Sequence, residues 1–267
     1  MNIDLNRKFY INLRTLNNKN YMKKYYSFFM LAALVSAFTF TSCLEENNDP
    51  IEYMSIVTID NSMGLSVMYP DENPEQQFLF NGDLKQYGIS ANAKRALITY
   101  TVAEAIDWSA PHVEISLKAG MCQDWPTAKI TDVNHADTCA TYTSAINQFS
   151  NYGVGSMLFP SLNVVRSRYI NIGYNYYANK VGKIALVPNR VSNDTVYFDF
   201  KLKKEGSNLS SGAMMSSFDL DSAYGFLSSA VSKDDSLHVT VVALTAEDVN
   251  GKATKKDSVT TRFKNIY

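Results

Sequence analysis

Residues 195–202 read Thr-Val-Tyr-Phe-Asp-Phe-Lys-Leu, and this octet decides the fold class. Val196, Phe198, Phe200 and Leu202 fall on one side of an extended chain, with Tyr197, Asp199 and Lys201 on the other. A helix would scatter both sets around its circumference, whereas a strand sorts them onto two faces. The same period of two recurs at 95–102, where Ala96, Ile98, Tyr100 and Val102 share a face opposite Arg95, Thr99 and Thr101. It recurs again at Val113, Ile115 and Leu117, at Ile170, Ile172, Tyr174 and Tyr176, at Leu237, Val239 and Val241, and at Val259, Thr261 and Phe263.

Turn residues punctuate these runs. Asp60-Asn61-Ser62-Met63-Gly64 joins Ile56–Asp60 to Leu65–Tyr69 as a hairpin, and Asn81-Gly82 and Asn250-Gly251 accept the positive dihedrals of tight turns. Five short strands within 55–120 suit a small OB-like Greek-key barrel, whose closure leaves no sheet edge. Residues 121–267 carry longer alternating runs with one polar face, as a larger antiparallel β-sandwich requires. One segment departs from that rhythm: Ala223, Phe226, Leu227 and Ala230 lie at helical spacing behind Asp219 or Asp221 as a cap. The expectation is an all-β chain, barrel then sandwich, with one short helix.

Ahead of the first strand stands a different kind of segment. Lys23 and Lys24 precede sixteen residues, Tyr25 to Phe40, that carry no charge, and small residues close the run. That is the basic and apolar order of an export signal, too short for a membrane span. Phe40-Thr41-Ser42-Cys43 resembles a bacterial lipoprotein signal in the form found in Bacteroidetes, with Cys43 the residue that becomes acylated and N-terminal. At ~0.8 kcal/mol per buried methylene, two or more acyl chains hold a protein stably on a bilayer. The resemblance implies an outer-membrane lipoprotein attached by lipid without spanning, with its exposure at the cell surface or in the periplasm left open by the lipobox itself. A cleaved secretory peptide with an incidental Cys is the alternative. Residues 1–21 form no plausible element and read as an extension ahead of a true start at Met22. Residues 22–42 are then the signal peptide and 43–54 a lipidated acidic tether. Its Glu45, Glu46 and Asp49 read either as a surface-export signal or as a solvated linker.

The order of lipobox, acidic tether, barrel-sized domain and sandwich resembles the NigD-like lipoproteins of Bacteroidetes. Lys94-Arg95-Ala96-Leu97-Ile98-Thr99-Tyr100 and Arg168-Tyr169-Ile170-Asn171-Ile172 carry the resemblance. It implies an N-terminal OB-like domain, a C-terminal sandwich and bacteriocin-immunity-like recognition of a macromolecular partner, with no catalytic residues. A surface glycan-binding accessory lipoprotein is the rival reading, on the signal and the β content alone.

The 267 residues hold 25 Lys plus Arg against 26 Asp plus Glu, with no basic runs, which argues against a nucleic-acid partner. Removing 1–42 takes away six basic residues and one acidic residue, so the mature chain carries a net charge of -6. Such a chain suits a basic partner and is repelled by anionic headgroups. Three His and three Cys leave little material for a metal site, and no metal or cofactor is expected. Phosphate-loop and dinucleotide fingerprints are missing, and Gly64-Leu65-Ser66-Val67-Met68 and Gly88-Ile89-Ser90-Ala91-Asn92 lack the closing Gly of a hydrolase elbow. The chain is expected to bind a protein or glycan and to catalyse nothing. With Cys43 lipidated, Cys122 and Cys139 remain as a candidate disulfide closing a loop of 16 intervening residues. Trp108, Trp125 and Tyr177 are the candidate binding aromatics.

Overall fold

Strand β1 (Glu52–Asp60) is buried on both faces over Ser55 to Ile59, the mark of a strand flanked on each side and covered above and below. The computed structural model describes residues 50–266 except 62–65, 179, 207–210, 232–233 and 248–252. The leader, Cys43, most of the tether and the turns at 62–64 and 250–251 lie outside the described residues.

β1 pairs antiparallel with β2 (Ser66–Pro70), which pairs antiparallel with β3 (Gln77–Phe80). β3 runs parallel to β5 (His112–Glu114). One residue later the same segment, now β6 (Ser116–Leu117), turns its hydrogen bonds to β4 (Arg95–Thr101), which pairs back to β1. The pairings therefore close on themselves and remove the exposed edges that an open sheet would present. Val57, Met68, Phe78, Ile98 and Tyr100 fill the enclosed apolar cluster, each worth roughly 1.5–3 kcal/mol on burial. β7 (Gln123–Asp124) adds a further antiparallel contact to β4.

The rest of the chain builds two more sheets. One runs β12 (Leu162–Val165), β13 (Tyr169–Tyr177), β16 (Ser211–Asp219), β8 (Thr127–Lys129), with β9 (Gln148–Phe149) also on β13. The other runs β14 (Lys180–Ser192), β15 (Thr195–Glu205), β17 (Ser236–Glu247), β18 (Ala253–Lys264). Ile170, Ile172 and Tyr174 of the first and Phe198, Phe200 and Val239 of the second share one apolar cluster, so these sheets face each other. A small hairpin of β10 (Tyr152–Val154) and β11 (Met157–Phe159) stands beside them.

The all-β class is therefore what the structure has, with two corrections to the expected detail. Two pairings in the second half are parallel, β15 with β17 and β8 with β16. After β15 the chain crosses to the opposite sheet as β16 and returns through the helical segment, so β17 enters its sheet in the direction of β15. β16 itself was not expected, because Ser216 and Ser217 interrupt its apolar alternation. The helical segment is present: a 3-10 turn, Leu220–Ala223, capped by the Asp219 carboxylate accepting from the Asp221 amide, leads into α1 (Tyr224–Leu227). Leu220, Ala223 and Leu227 are its buried residues and they join the shared core.

The expected disulfide is absent. Cys122 and Cys139 are both free and buried. They belong to different clusters, Cys122 to the core enclosed by the closed pairings and Cys139 to a patch with Ala185 and Val187 on β14, so neither sulfur faces the other.

Candidate binding cleft at the junction

Arg95 opens β4 on the face opposite its apolar alternation, yet its side chain is fully buried. The polar face of β4 packs against the polar face of β13 and β16, and groups from both meet around one guanidinium. Arg95 Nη2 pairs with the Asp71 carboxylate, also fully buried, just beyond β2. Nη1 donates to Asn171 Oδ1 at 2.7 Å and to Ser217 Oγ at 2.9 Å. Asn171 Nδ2 donates to Asp71 Oδ2 at 3.0 Å, and the Ser217 hydroxyl donates to Asn171 Oδ1 at 2.6 Å. Trp125 Nε1 completes the set by donating to Ser217 Oγ at 2.9 Å. A buried charge is tolerated only when paired and hydrogen-bonded, and these partners supply most of what water would have supplied, leaving Arg95 Nε and Asp71 Oδ1 without a hydrogen-bond partner among the described residues. Burial raises the Asp71 carboxyl above the ordinary carboxylate range while Arg95 pulls against it.

Beside this network opens a cleft of about 590 Å³, lined by Tyr69, Lys94, Arg166, Arg168, Tyr169 and Asp221 among others. Its outer lip is the turn between β12 and β13. The Arg168 amide donates to Val165 O at 3.0 Å, with Arg166 at φ 51° and Ser167 at φ 52°. Two successive residues with left-handed φ close this three-residue connection, a conformation ordinarily built from Gly or Asn. Arg and Ser carry a steric cost there, and such strain persists only where surrounding contacts enforce it. Those contacts are present. The Arg166 guanidinium lies 3.6 Å from the Tyr69 ring centroid, and its Nη1 donates to Pro74 O at 3.2 Å. Arg168 Nη2 sits 3.1 Å from Asp221 and 3.5 Å from Asp219. Tyr169 lies between two guanidinium groups, Arg95 at 5.0 Å and Arg168 at 5.3 Å from its centroid, and burial pushes its phenol up.

A second buried polar group lies next to Asp71. The Ser55 hydroxyl donates to Glu72 Oε1, and the Tyr100 hydroxyl is 3.3 Å from Ser55 Oγ. Burial pushes the Glu72 carboxyl up to about 7, with the Ser55 bond opposing the rise. Burial also raises the Tyr100 phenol.

The aromatic residues named from sequence lie apart. Trp108 is 37% exposed in a turn whose carbonyl accepts from Asn73 Nδ2 at 2.9 Å, and Tyr177 is 48% exposed at the end of β13. Trp125 is half-buried and belongs to the junction. Among the described residues no group of three or more His, Cys, Asp or Glu side chains is placed to hold a metal ion.

No family model matches the chain, and no curated protein matches it. Solved structures do. The chain shares its fold with a candidate lipoprotein of Bacteroides fragilis. The two superpose with a TM-score of 0.58 at 11% identity, over 81% of this chain and 100% of that one. A candidate toxin-related protein of Parabacteroides distasonis gives 0.48 at 15% identity, over 81% and 95%. An uncharacterized protein of Parabacteroides merdae gives 0.46 at 14%, over 79% and 98%. At 11% identity the first likeness is one of fold.

Proposed function

We propose that the chain is a lipoprotein acylated at Cys43, held in the outer membrane facing the cell surface, that binds a macromolecular partner and catalyses nothing. The observation that carries the binding reading is the junction cleft. Its arginines are already fixed, Arg166 on Tyr69 and Arg168 on Asp219 and Asp221, above a locked buried network. A surface fixed before binding loses little side-chain entropy when a partner arrives, which is how a recognition site gains affinity. A protein partner, engaged in the bacteriocin-immunity-like manner that the NigD-like resemblance implies, fits a cleft that mixes aromatic rings, guanidinium groups and carboxylates. The anchor reading is supported by the basic and apolar leader ending at Cys43 and by a fold shared with a protein itself described as a candidate lipoprotein. No described helix is long and apolar enough to cross a membrane. Glycan binding through scattered aromatics is weaker, because Trp125 is committed to Ser217.

Photocrosslinking tests the site. A benzoylphenylalanine in place of the exposed Lys94, on the cleft wall, should give a discrete crosslinked species on cells, and one in place of Leu158, on β11, should not. Equal products from both positions would remove the cleft from the reading. Cys43→Ala should abolish incorporation of labelled palmitate, and retained label would remove the anchor.

A further inference from the structure

The net charge of the chain conceals a segregation. On the outward face of the β14-β15-β17-β18 sheet, Lys183 stands opposite Lys203, and Lys201 follows two residues along β15. Lys256 occupies the same face on β18. Toward the other end, Arg190 stands opposite Tyr197 with its guanidinium 4.3 Å from the ring centroid, and Arg262 stands opposite His238. Asp199 and Glu205 are the acids that register places among them; Asp199 accepts from Asn189 Nδ2 at 3.1 Å, and Glu205 lies 3.9 Å from Lys180 at the end of the strand. Among the described residues none of the six cations forms an ion pair. Like charges directly opposite each other destabilise a sheet, and the fold gains nothing from the Lys183 and Lys203 pairing. At ~3.3 Å per residue and ~4.8 Å per strand the face measures about 27 by 14 Å.

From this face we infer a binding surface for a polyanionic saccharide, a chain bearing carboxylate, sulfate or phosphate groups. Three observations choose that ligand over other anions. The large exposed apolar side chains, such as Leu158, Tyr177 and Tyr224, lie elsewhere, so the face lacks the anchors that give a protein interface its affinity. A flat anionic leaflet would meet an obstacle, because Ala136 and Tyr142 pack over Ala185 and Val187 and raise a ridge whose exposed Asp132 and Asp137 repel it. A flexible chain can pass beside that ridge. There it meets a dent of about 170 Å³ lined by Tyr142, Asp199, Lys201, Val242, Leu244 and Lys256, an apolar floor flanked by two ammonium groups, with the one carboxylate of its wall, Asp199, accepting from Asn189. The inference does not depend on the junction cleft or on the lipid anchor, since the sheet belongs to the compact unit Pro50–Tyr267.

The test uses residues 50–267 and measures affinity electrophoresis through gels holding dextran sulfate, polygalacturonate or neutral dextran, at low and at physiological salt. Retention by the two acidic polymers, absent with dextran and weakened by salt, is expected. Lys201→Gln with Lys203→Gln should weaken it about tenfold, while Lys85→Gln with Lys118→Gln, the same change of net charge on another part of the surface, should change it less than about twofold. A second pair, Lys256→Gln with Arg262→Gln, should reproduce the loss. Equal effects of the face and off-face pairs, absence of retention by either acidic polymer, or tighter binding to polyglutamate or to phosphatidylglycerol vesicles would overturn the proposal.

Discussion

Arg95 and Asp71 form an ion pair in which both side chains are wholly buried, and its remaining hydrogen bonds come from another sheet. The pair thus ties the closed set of strands to β13 and β16. Removing one partner strands the other charge without water, at a cost of roughly 3–5 kcal/mol, whereas replacing both with apolar groups of similar size is often neutral. Arg95→Met and Asp71→Leu should each lower the urea midpoint strongly, and the double variant should recover much of the loss. Purely additive losses would show that the two side chains stabilise the fold separately.

Glu72 makes stability depend on pH across the neutral range. Its native carboxyl is raised to about 7 by burial, above the ordinary 4.5. Between these values the native state holds a proton that the unfolded state has released, so stability falls as pH rises. The contribution is fully present below about 4.5 and lost above about 7, a change of at most about 3.5 kcal/mol at ~1.4 kcal/mol per unit. Urea unfolding between pH 5 and 8 should show this decline, and Glu72→Gln should flatten it. The raised Asp71 carboxyl acts with the same sign, so the difference between wild type and Glu72→Gln isolates Glu72.

The β12 to β13 turn is a site where a single glycine should stabilise. Ser167 holds φ 52° without being glycine. Ser167→Gly should raise stability by about 0.5–1 kcal/mol, the strain relieved exceeding the entropy that glycine adds to the unfolded chain. Arg166→Gly removes the same kind of strain but also the stacking on Tyr69, and it should not stabilise. A gain from Arg166→Gly equal to that from Ser167→Gly would mean that the stacked guanidinium contributes nothing.

How much of this was legible in sequence depended on which face a strand shows to what. The alternation at Arg95–Thr101, Tyr169–Tyr177 and Thr195–Leu202 reveals strands because their apolar faces are continuous. The same rule sets Arg95 and Asn171 opposite the apolar faces and goes no further, since period two sorts residues into two faces and is silent on whether a polar face meets water or another polar face. The signal that marks the junction is Trp125 beside the Ser216-Ser217 break in β16, a large donor and a hydroxyl pair with no reason to be exposed. The parallel pairings were illegible for another reason: they depend on which sheet the chain visits between β15 and β17. The basic face was hidden by summation, because net charge adds residues that the fold separates.

The two cysteines allow the last check, since their spacing suggested a bridge and their surroundings do not. Cys122 Sγ lies 3.7 Å from Thr99 O and 3.5 Å from Lys118 O, and burial raises its thiol, so little reactive thiolate forms. Cys139 Sγ lies 3.7 Å from Thr131 Oγ1 on the far side of another sheet. A disulfide between them would require the segments that hold each, the turn before β7 and the end of the 3-10 segment Val133–Cys139, to leave their cores. A maleimide should therefore label both sulfurs of residues 50–267 only after unfolding, and the urea midpoint should be the same with and without reductant. Refolding under oxidising conditions should not raise that midpoint. A bridged peptide in a non-reducing digest, with a midpoint lowered by reductant, would mean that the chain outside the cytoplasm adopts a different packing around β14.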